Sequence, residues 1–561
     1  MPVNQIEDDQ FKRSAGSDIN LEILKSDHSA LNESCCFEKP WYTYRHLQVL
    51  TWHIFVITLA STNYGYDGSM LNGLQVFSKW NETMSYPTGS ILGALSNGTV
   101  FGTILSFFGA AWFADRIGRK YCIIIGSVIT VIGSILQGVS TNYGFFMATR
   151  LIIGFGTGFS SVSAPTLIAE LAFPDMHPES EEGEASLAKK YKLKSYRSDC
   201  TSAYGVFWYL GATVAAWVTY GTRVIDNDYC WKIPSYLQGF FPLLQAILMW
   251  WVPESPRYLV SKGRIKQAER ILRRYHTGNS FDEKANRLVE YEIKEIQAAL
   301  KLDEIASKSK YSDFITIPSF RRRGFIIVFL AAMLNLSGNG LVSYYLNKVL
   351  DSIGITGEKR QLEINGALMI YNLVTAAVAA LYVGKFKRRS VFLFSVALML
   401  IFYVIWTVLS AINQKRNFEQ KSLGNGVLGM IFLYYAAYNI GLNGLPYLYT
   451  TEFLPYSHRA KGQNLFQVAM NIIIIYNGFV NPVAMDSIDW KYYIVYCCTL
   501  AVELVVVYFV FIETYGNTLE EASDSIYDNL QLKSSRSKTN HSESFDKIDV
   551  SQEHLTIRPK T

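Results

Sequence analysis

Apolar residues run along this chain in long blocks rather than at the spacing of an amphipathic helix on a soluble core. The blocks fall at 47–74, 89–111, 122–139, 144–169, 203–221 and 236–252. After a charged stretch they resume at 324–346, 364–384, 390–411, 424–447, 465–485 and 493–512. A hydrocarbon core of about 30 Å takes about 20 helical residues at about 1.5 Å each, and a helix satisfies its own backbone in lipid. The pattern predicts an all-α membrane protein with twelve transmembrane helices in two six-helix halves. Its expected segments are a cytoplasmic tail (1–46), a first bundle (47–252), a cytoplasmic linker of short helices (253–323), a second bundle (324–512) and a second cytoplasmic tail (513–561).

Composition narrows the class. Half of the 561 residues are hydrophobic and only 18% are charged, against roughly 25% in soluble domains, which argues against a soluble enzyme. The first 46 residues carry no apolar stretch behind a basic start, so no cleaved signal peptide is expected and the first span directs insertion. Lys and Arg concentrate in alternate connections, 16 of them in 253–323. By the positive-inside bias this places both termini in the cytoplasm, with a plasma-membrane location expected. The net charge of +5 then reflects topology rather than affinity for nucleic acid. Asn81-Glu82-Thr83 lies in the first outer loop, a position open to glycosylation. The seven cysteines show no disulfide or metal spacing.

The halves repeat one another. Asp115-Arg116-Ile117-Gly118-Arg119-Lys120 after span two has a worn copy in Gly384-Lys385-Phe386-Lys387-Arg388-Arg389 after span eight. Glu170 and Pro174 after span four match Glu452 and Pro455 after span ten, and Glu254 after span six matches Glu513 after span twelve. Cationic turns facing glutamates on one membrane face read as a latch between the halves that holds while the outside is open, or as ordinary positive-inside charge. The candidate gating set is Asp115, Arg116, Arg119, Glu170, Arg197, Glu254, Arg257, Arg388, Glu452, Arg459 and Glu513. A tract of glutamates followed by lysines at 176–195 abuts this set as an insertion.

Three side chains with a full charge fall inside the apolar blocks: Asp67, Arg150 and Glu503. A charge at mid-membrane costs roughly 2.5–3.5 kcal/mol on insertion scales, so such a group needs a partner, a cavity or a proton. Counting residues from the outer ends puts Asp67 about 10 Å deep in span one and Arg150 about 9 Å deep in span four, at one level. A carboxyl beside a guanidinium stays ionised, whereas one separated from it in an apolar site takes up a proton. The pair is a protonation switch or a static tie. Glu503 has no cation of its own depth and faces water or a polar neighbour.

Neutral polar residues gather in the second half: Asn335, Ser337, Asn339, Tyr344, Tyr345, Asn372, Asn443, Tyr447 and Asn471, with Gln238 from the first half. Amides offer donors and acceptors together and rings stack on a sugar's C–H face, so these are substrate-binding candidates for an uncharged polyhydroxy compound, or interhelical ties. Gly154-Phe155-Gly156-Thr157-Gly158 follows no strand and reads as close helix packing rather than a nucleotide loop. His53 reads as a polar group satisfied within the helices.

These residues resemble the sugar porter family of the major facilitator superfamily across about 47–520. The resemblance rests on Gly65-Tyr66-Asp67-Gly68, Asp115-Arg116-Ile117-Gly118-Arg119-Lys120, Arg150-x-x-x-Gly154, Pro253-Glu254-Ser255-Pro256-Arg257 and Glu513-Thr514-x-Gly516 in order. Phe207-Trp208-Tyr209, Ser337-Gly338-Asn339-Gly340-Leu341 and Phe479-Val480-Asn481-Pro482 look like the fungal lactose permease branch. The resemblance implies proton symport of a galactoside, disaccharide or related glycoside by alternating access, with Asp67 as proton acceptor, Arg150 as its partner and no cofactor beyond a proton gradient. Kinase or ubiquitin action on the tails is a further expectation. The chain departs from the family pattern at Leu334 and Asn335, where many sugar porters carry two glutamines, at Ala212, and at Gly384, where the second cationic turn lacks its aspartate. A non-transporting sugar sensor and an uncoupled facilitator are the alternatives.

Overall fold

The computed structural model describes residues 41–174, 196–306, 310–383, 386–416, 418, 420–454 and 456–513. Most of both expected tails, the insertion at 176–195, Gly384 and the side chain of Glu452 lie outside the described residues. Every regular element among the described residues is helical. Each apolar block lies on one helix or on two consecutive ones. The first half comprises Arg45–Leu74, Gly89–Ile117, Arg119–Gly138, Tyr143–Leu171, Tyr196–Thr222 and the pair Tyr229–Leu237 and Phe240–Leu248. The second half comprises the pair Pro318–Leu336 and Asn339–Asp351, then Glu358–Val383, Arg388–Lys415, the pair Lys421–Gly441 and Leu445–Glu452, Tyr456–Ile488 and Tyr492–Val510. These are spans one to twelve.

Seven stretches among the described residues are apolar and long enough to cross a membrane unaided. Spans six, seven and ten are broken, each for a local reason. Pro242 has no N–H to return to the carbonyl of Gln238, and Pro446 none for that of Leu442. At the break in span seven Gly338 takes a φ of +102°, a left-handed conformation that only glycine adopts without strain. A broken helix in a membrane exposes backbone polar groups, which is tolerated where protein or a water-lined space covers them. The breaks at Gln238, Ser337 and Asn443 thus fall among the candidate binding residues.

Helices of the first half approach closely. A Cβ on Gly65 would stand 1.8 Å from the carbonyl oxygen of Trp208, and one on Gly154 would stand 2.0 Å from that of Thr99. Spans one and five, and two and four, therefore meet backbone to backbone, and the Gly154–Gly158 run is packing, as its context implies. Large side chains such as Leu105, Phe394 and Phe509 point outward, exposed, as a lipid-facing surface requires.

The two halves touch at the end of the bundle that carries Asn81. Gln75 Nε2 donates to the carbonyl of Tyr344 at 3.2 Å, Asn97 Nδ2 to that of Ile475 at 3.1 Å, and the Ser78 hydroxyl to Glu358 at 2.7 Å. Asn72 donates to the carbonyl of Ser343. At the opposite, basic end the linker helices Pro256–Ser261 and Ile265–His276 lie beside the first half, and Glu283–Ala306 packs on both of them and against span eleven of the second half. His276 clamps them there: Nδ1 sits 2.8 Å from Glu292 and Nε2 sits 3.1 Å from the carbonyl of Leu171. His458 meets Asp313 at 3.0 Å, tying the linker's end to span eleven.

Candidate functional site

The fourth span starts where Asn142 accepts the Phe145 N–H at 2.9 Å, which fixes the register that carries Arg150 inward. Arg150 is 2% exposed and Asp67 4%. The expected encounter is present: Arg150 Nη1 donates to Asp67 Oδ1 at 3.1 Å. Arg150 Nη2 reaches Thr99 Oγ1 at 3.4 Å. Gln238, a sugar-site candidate in the sequence, is turned to the ion pair: its Nε2 donates to the same Asp67 oxygen at 2.9 Å. Behind it Gln137 Nε2 donates to Gln238 Oε1 at 3.3 Å. The buried carboxylate is thus held by one guanidinium and one amide.

The remaining binding candidates divide in two. Ser337 is fully buried against Tyr434, Asn372 is fully buried and accepts from Asn439, and Tyr345 is buried with its hydroxyl on the Gly478 carbonyl. Asn471 is buried and donates to Gln467 of its own helix. These four are ties between or within helices, since their polar groups are turned into packed protein. Asn335, Asn339, Tyr344 and Asn443 are half-buried, and Tyr447 is 42% exposed.

Tyr64, which the sequence pattern did not single out, is 38% exposed and lies within electrostatic reach of Asp67, Tyr204, Tyr344 and Tyr447. Phenols from spans one, five, seven and ten therefore converge on one space between the halves, beside the ion pair. The one available signal for Tyr64 was its position three residues before Asp67, which puts both on one helix face.

At the basic end the acidic and cationic groups assemble within each half. Glu254 Oε1 accepts the backbone N–H groups of Arg119 at 3.1 Å, Lys120 at 3.3 Å and Ser255 at 2.9 Å. Glu170 faces Arg119 at 3.6 Å and accepts from the Ser255 hydroxyl. Asp115 pairs with Arg119 at 3.3 Å, Arg257 lies near Glu170, and Arg116 rests over Trp112. In the second half Glu513 accepts the backbone N–H groups of Arg388 at 2.8 Å and Arg389 at 3.2 Å. The partners of Arg119, Glu170 and Glu254 named here belong to their own half, as they must where the two halves meet at the Asn81 end and a latch at the basic end is released. A helix start offers unpaired N–H groups, and the nearest carboxylate takes them. Arg197 and Arg459 stand half-buried at the basic ends of spans five and eleven. Burial pushes the Glu254 carboxyl above its ordinary range, against the pull of those N–H donors.

Three further expectations meet the structure here. Glu503 is 4% exposed, and its Oε2 has no hydrogen-bond partner in the protein. His53 packs edge-on against Tyr275, and its Nε2 is likewise buried without a partner, so it is not the satisfied polar group expected. Asn81 lies in a short helix, and its Nδ2 donates to the carbonyls of Gln75 and Phe77; glycan attachment there requires those bonds to open.

The sugar (and other) transporter family profile matches residues 53–525, and the chain belongs to that family, the sugar porters of the major facilitator superfamily. Among curated proteins it is 26% identical to the MFS-type transporter oryC of Aspergillus oryzae, over 84% of this chain and 85% of that one. It is also 26% identical to the low-affinity glucose transporter HXT4 of Saccharomyces cerevisiae, over 78% and 71% respectively. Among solved structures it resembles the proton:xylose symporter XylE bound to 6-bromo-6-deoxy-D-glucose, with a TM-score of 0.66, 21% identity and coverage of 84% of this chain and 98% of that one. The inward-open conformation of XylE from E. coli gives the same TM-score, with 84% and 99% covered. The likeness to XylE shows the fold; the family match makes this chain a multi-pass sugar transporter.

Proposed function

We propose that the protein is a proton-coupled symporter of a neutral sugar, working by alternating access with both termini in the cytoplasm. The carrying observation is the buried Asp67–Arg150 pair beside a space lined by tyrosines from both halves. Separating such a pair outright costs about 3–5 kcal/mol, because one charge is left buried and unmatched. A proton on Asp67 removes that cost on the acid side and frees Arg150 to turn toward Thr99. Proton uptake thereby loosens spans one and four, and sugar bound between the halves is the natural second input to the same movement.

The closed contacts at the Asn81 end fit a state open toward the basic, cytoplasmic end. In it Tyr64 and Tyr447 remain accessible while Gln75 and Asn97 bridge the halves. Asn335, Asn339, Tyr344, Asn443 and Tyr447 supply amides and phenols and no charge, which suits hydroxyl groups. Relatives are named for glucose and XylE for xylose, so those sugars and lactose are the first to test.

Purified protein in liposomes with an imposed inward proton gradient should accumulate at least one of labelled D-glucose, D-xylose or lactose. Asp67→Asn should abolish accumulation while leaving exchange of sugar across the membrane. Equal accumulation by the variant would overturn the assignment, and flux that ignores the gradient in the native protein would make it a facilitator.

A further inference from the structure

Gln238 and Gln137 are fully buried, and the Gln137 Oε1 has no hydrogen-bond partner in the protein. The ionised carboxylate fixes which way the Gln238 amide points. Gln238 Oε1 accepts from Gln137 Nε2 at 3.3 Å, so the Gln238 nitrogen must be the atom 2.9 Å from Asp67 Oδ1. Turning the Gln238 amide over would set its oxygen against the carboxylate and its NH2 against another NH2. Gln137 therefore orients Gln238 without touching Asp67 itself.

The break in span six makes this possible. Gln238 lies between the helices ending at Leu237 and starting at Phe240. Tyr66, next to Asp67 in the chain, donates to the Pro234 carbonyl at 3.0 Å and pins the first of those helices to span one. Gln137 closes the last turn of span three. Spans one, three and six are thereby joined at the carboxylate.

We propose that Gln137 and Gln238 form an amide relay that positions Asp67 and sets the pH at which it exchanges its proton, and that neither binds sugar. This rests on the symport reading above. An N–H donor on a carboxylate favours the ionised form, and loss of the donor favours the protonated one. The other charged or titratable groups near Asp67 are Arg150 from span four and the phenols of Tyr64 and Tyr344. Phenols ordinarily ionise near about 10 and stay neutral where a carboxyl titrates. Thr99 from span two, which meets Arg150, and Trp208 from span five, which packs on Gly65 and Gly68, carry no titratable group. Arg150 and the relay are thus the two levers on the carboxyl, and the relay is the one that cannot itself gain or lose a proton.

The test uses the full-length protein in liposomes and whichever of D-glucose, D-xylose or lactose it accumulates. Proton-driven accumulation is followed across pH 5 to 9 beside sugar exchange without a gradient, for the native protein, Gln238→Leu and Gln137→Leu. Loss of one charge-assisted donor should move the midpoint of the accumulation profile upward by about one pH unit in Gln238→Leu, a tenfold change in proton concentration. Gln137→Leu should move it the same way by less, although it removes no atom that touches Asp67. Exchange at pH 5 should stay within about twofold of native in Gln137→Leu, whose side chain touches neither Asp67 nor the sugar.

An unmoved midpoint in variants with normal exchange overturns the relay. So does an equal loss at every pH, the mark of a merely structural role. Should Gln238→Leu fail to fold, the Gln137→Leu profile decides alone. Gradient-independent flux in the native protein removes the symport reading and this inference with it, and is distinguished by needing no variant.

Discussion

Glu513 stands to Arg388 as Glu254 stands to Arg119: each carboxylate, at the end of its half, accepts the first backbone N–H groups of the helix that follows the cationic turn. The second turn has lost its aspartate to Gly384, yet the carboxylate cap persists. The duplicated device therefore lies in the backbone of the turn, and its arginine side chains are free to differ between the halves.

Removing either cap orphans N–H groups that are partly buried, at roughly 1–3 kcal/mol each. Glu254→Ala and Glu513→Ala should each lower the thermal midpoint in detergent by several degrees, and the glutamine variants, which keep an acceptor, should lose much less. Equal losses for Ala and Gln would show that charge rather than acceptance matters.

The same glutamate has a pH signature. Burial raises the Glu254 carboxyl, so the folded chain holds a proton there at a higher pH than the unfolded chain, whose value is about 4.3. Stability from this group is complete below that value and declines as pH rises through the folded one. The difference in thermal midpoint between Glu254→Gln, neutral throughout, and the native protein should move in favour of the variant as pH rises from about 4.3 through the raised value of the folded carboxyl, measured as the difference of two melting curves.

At the ion pair, Arg150→Lys keeps the charge but not the fork that reaches both Asp67 and Thr99. Sugar accumulation should fall at least tenfold, while expression and folding suffer less than in Arg150→Leu, which leaves Asp67 buried beside the amide alone. Uptake assays beside melting curves separate the two effects.

Among the polar residues of the second half, the two groups should behave differently. Asn443→Ala and Tyr344→Phe should raise KM for the transported sugar by about fivefold to a hundredfold with little change in melting, the loss of one hydrogen bond of about 1–3 kcal/mol. Ser337→Ala and Asn372→Ala should do the reverse, lowering thermal stability with KM nearly unchanged. A KM effect at Ser337 would place sugar inside what the structure shows as packed protein.

The bridge between halves is testable through populations. Asn97→Ala removes the bond to the Ile475 carbonyl, worth about 1 kcal/mol, and should shift the balance about fivefold toward opening at the Asn81 end. Labelling of a Tyr344→Cys reporter by an impermeant thiol reagent should then quicken by a similar factor.

Twelve membrane crossings were legible from the sequence because lipid demands about 20 apolar residues per helix, and nothing but the chain itself supplies them. Asp67 and Arg150 were legible for the same reason: a charge is conspicuous in a stretch where water is absent, and helical rise sets its depth. The sugar candidates were only half legible. Ser337, Asn372 and Asn471 have the composition of a binding residue, but an amide in a membrane helix looks alike in sequence whether it meets a ligand or a neighbour. The partner of each polar group is decided by helix rotation and by contacts between distant spans, which one-dimensional spacing does not encode. Gln238 shows this most directly. Its sequence position placed it in the right bundle, and packing against Gln137 and Asp67 decided that its amide meets the carboxylate. At the basic end the chain determined which charges gather at one membrane face, and the tertiary arrangement determined that Glu254 and Glu513 cap helices of their own half, because a helix start offers unpaired backbone N–H groups close at hand.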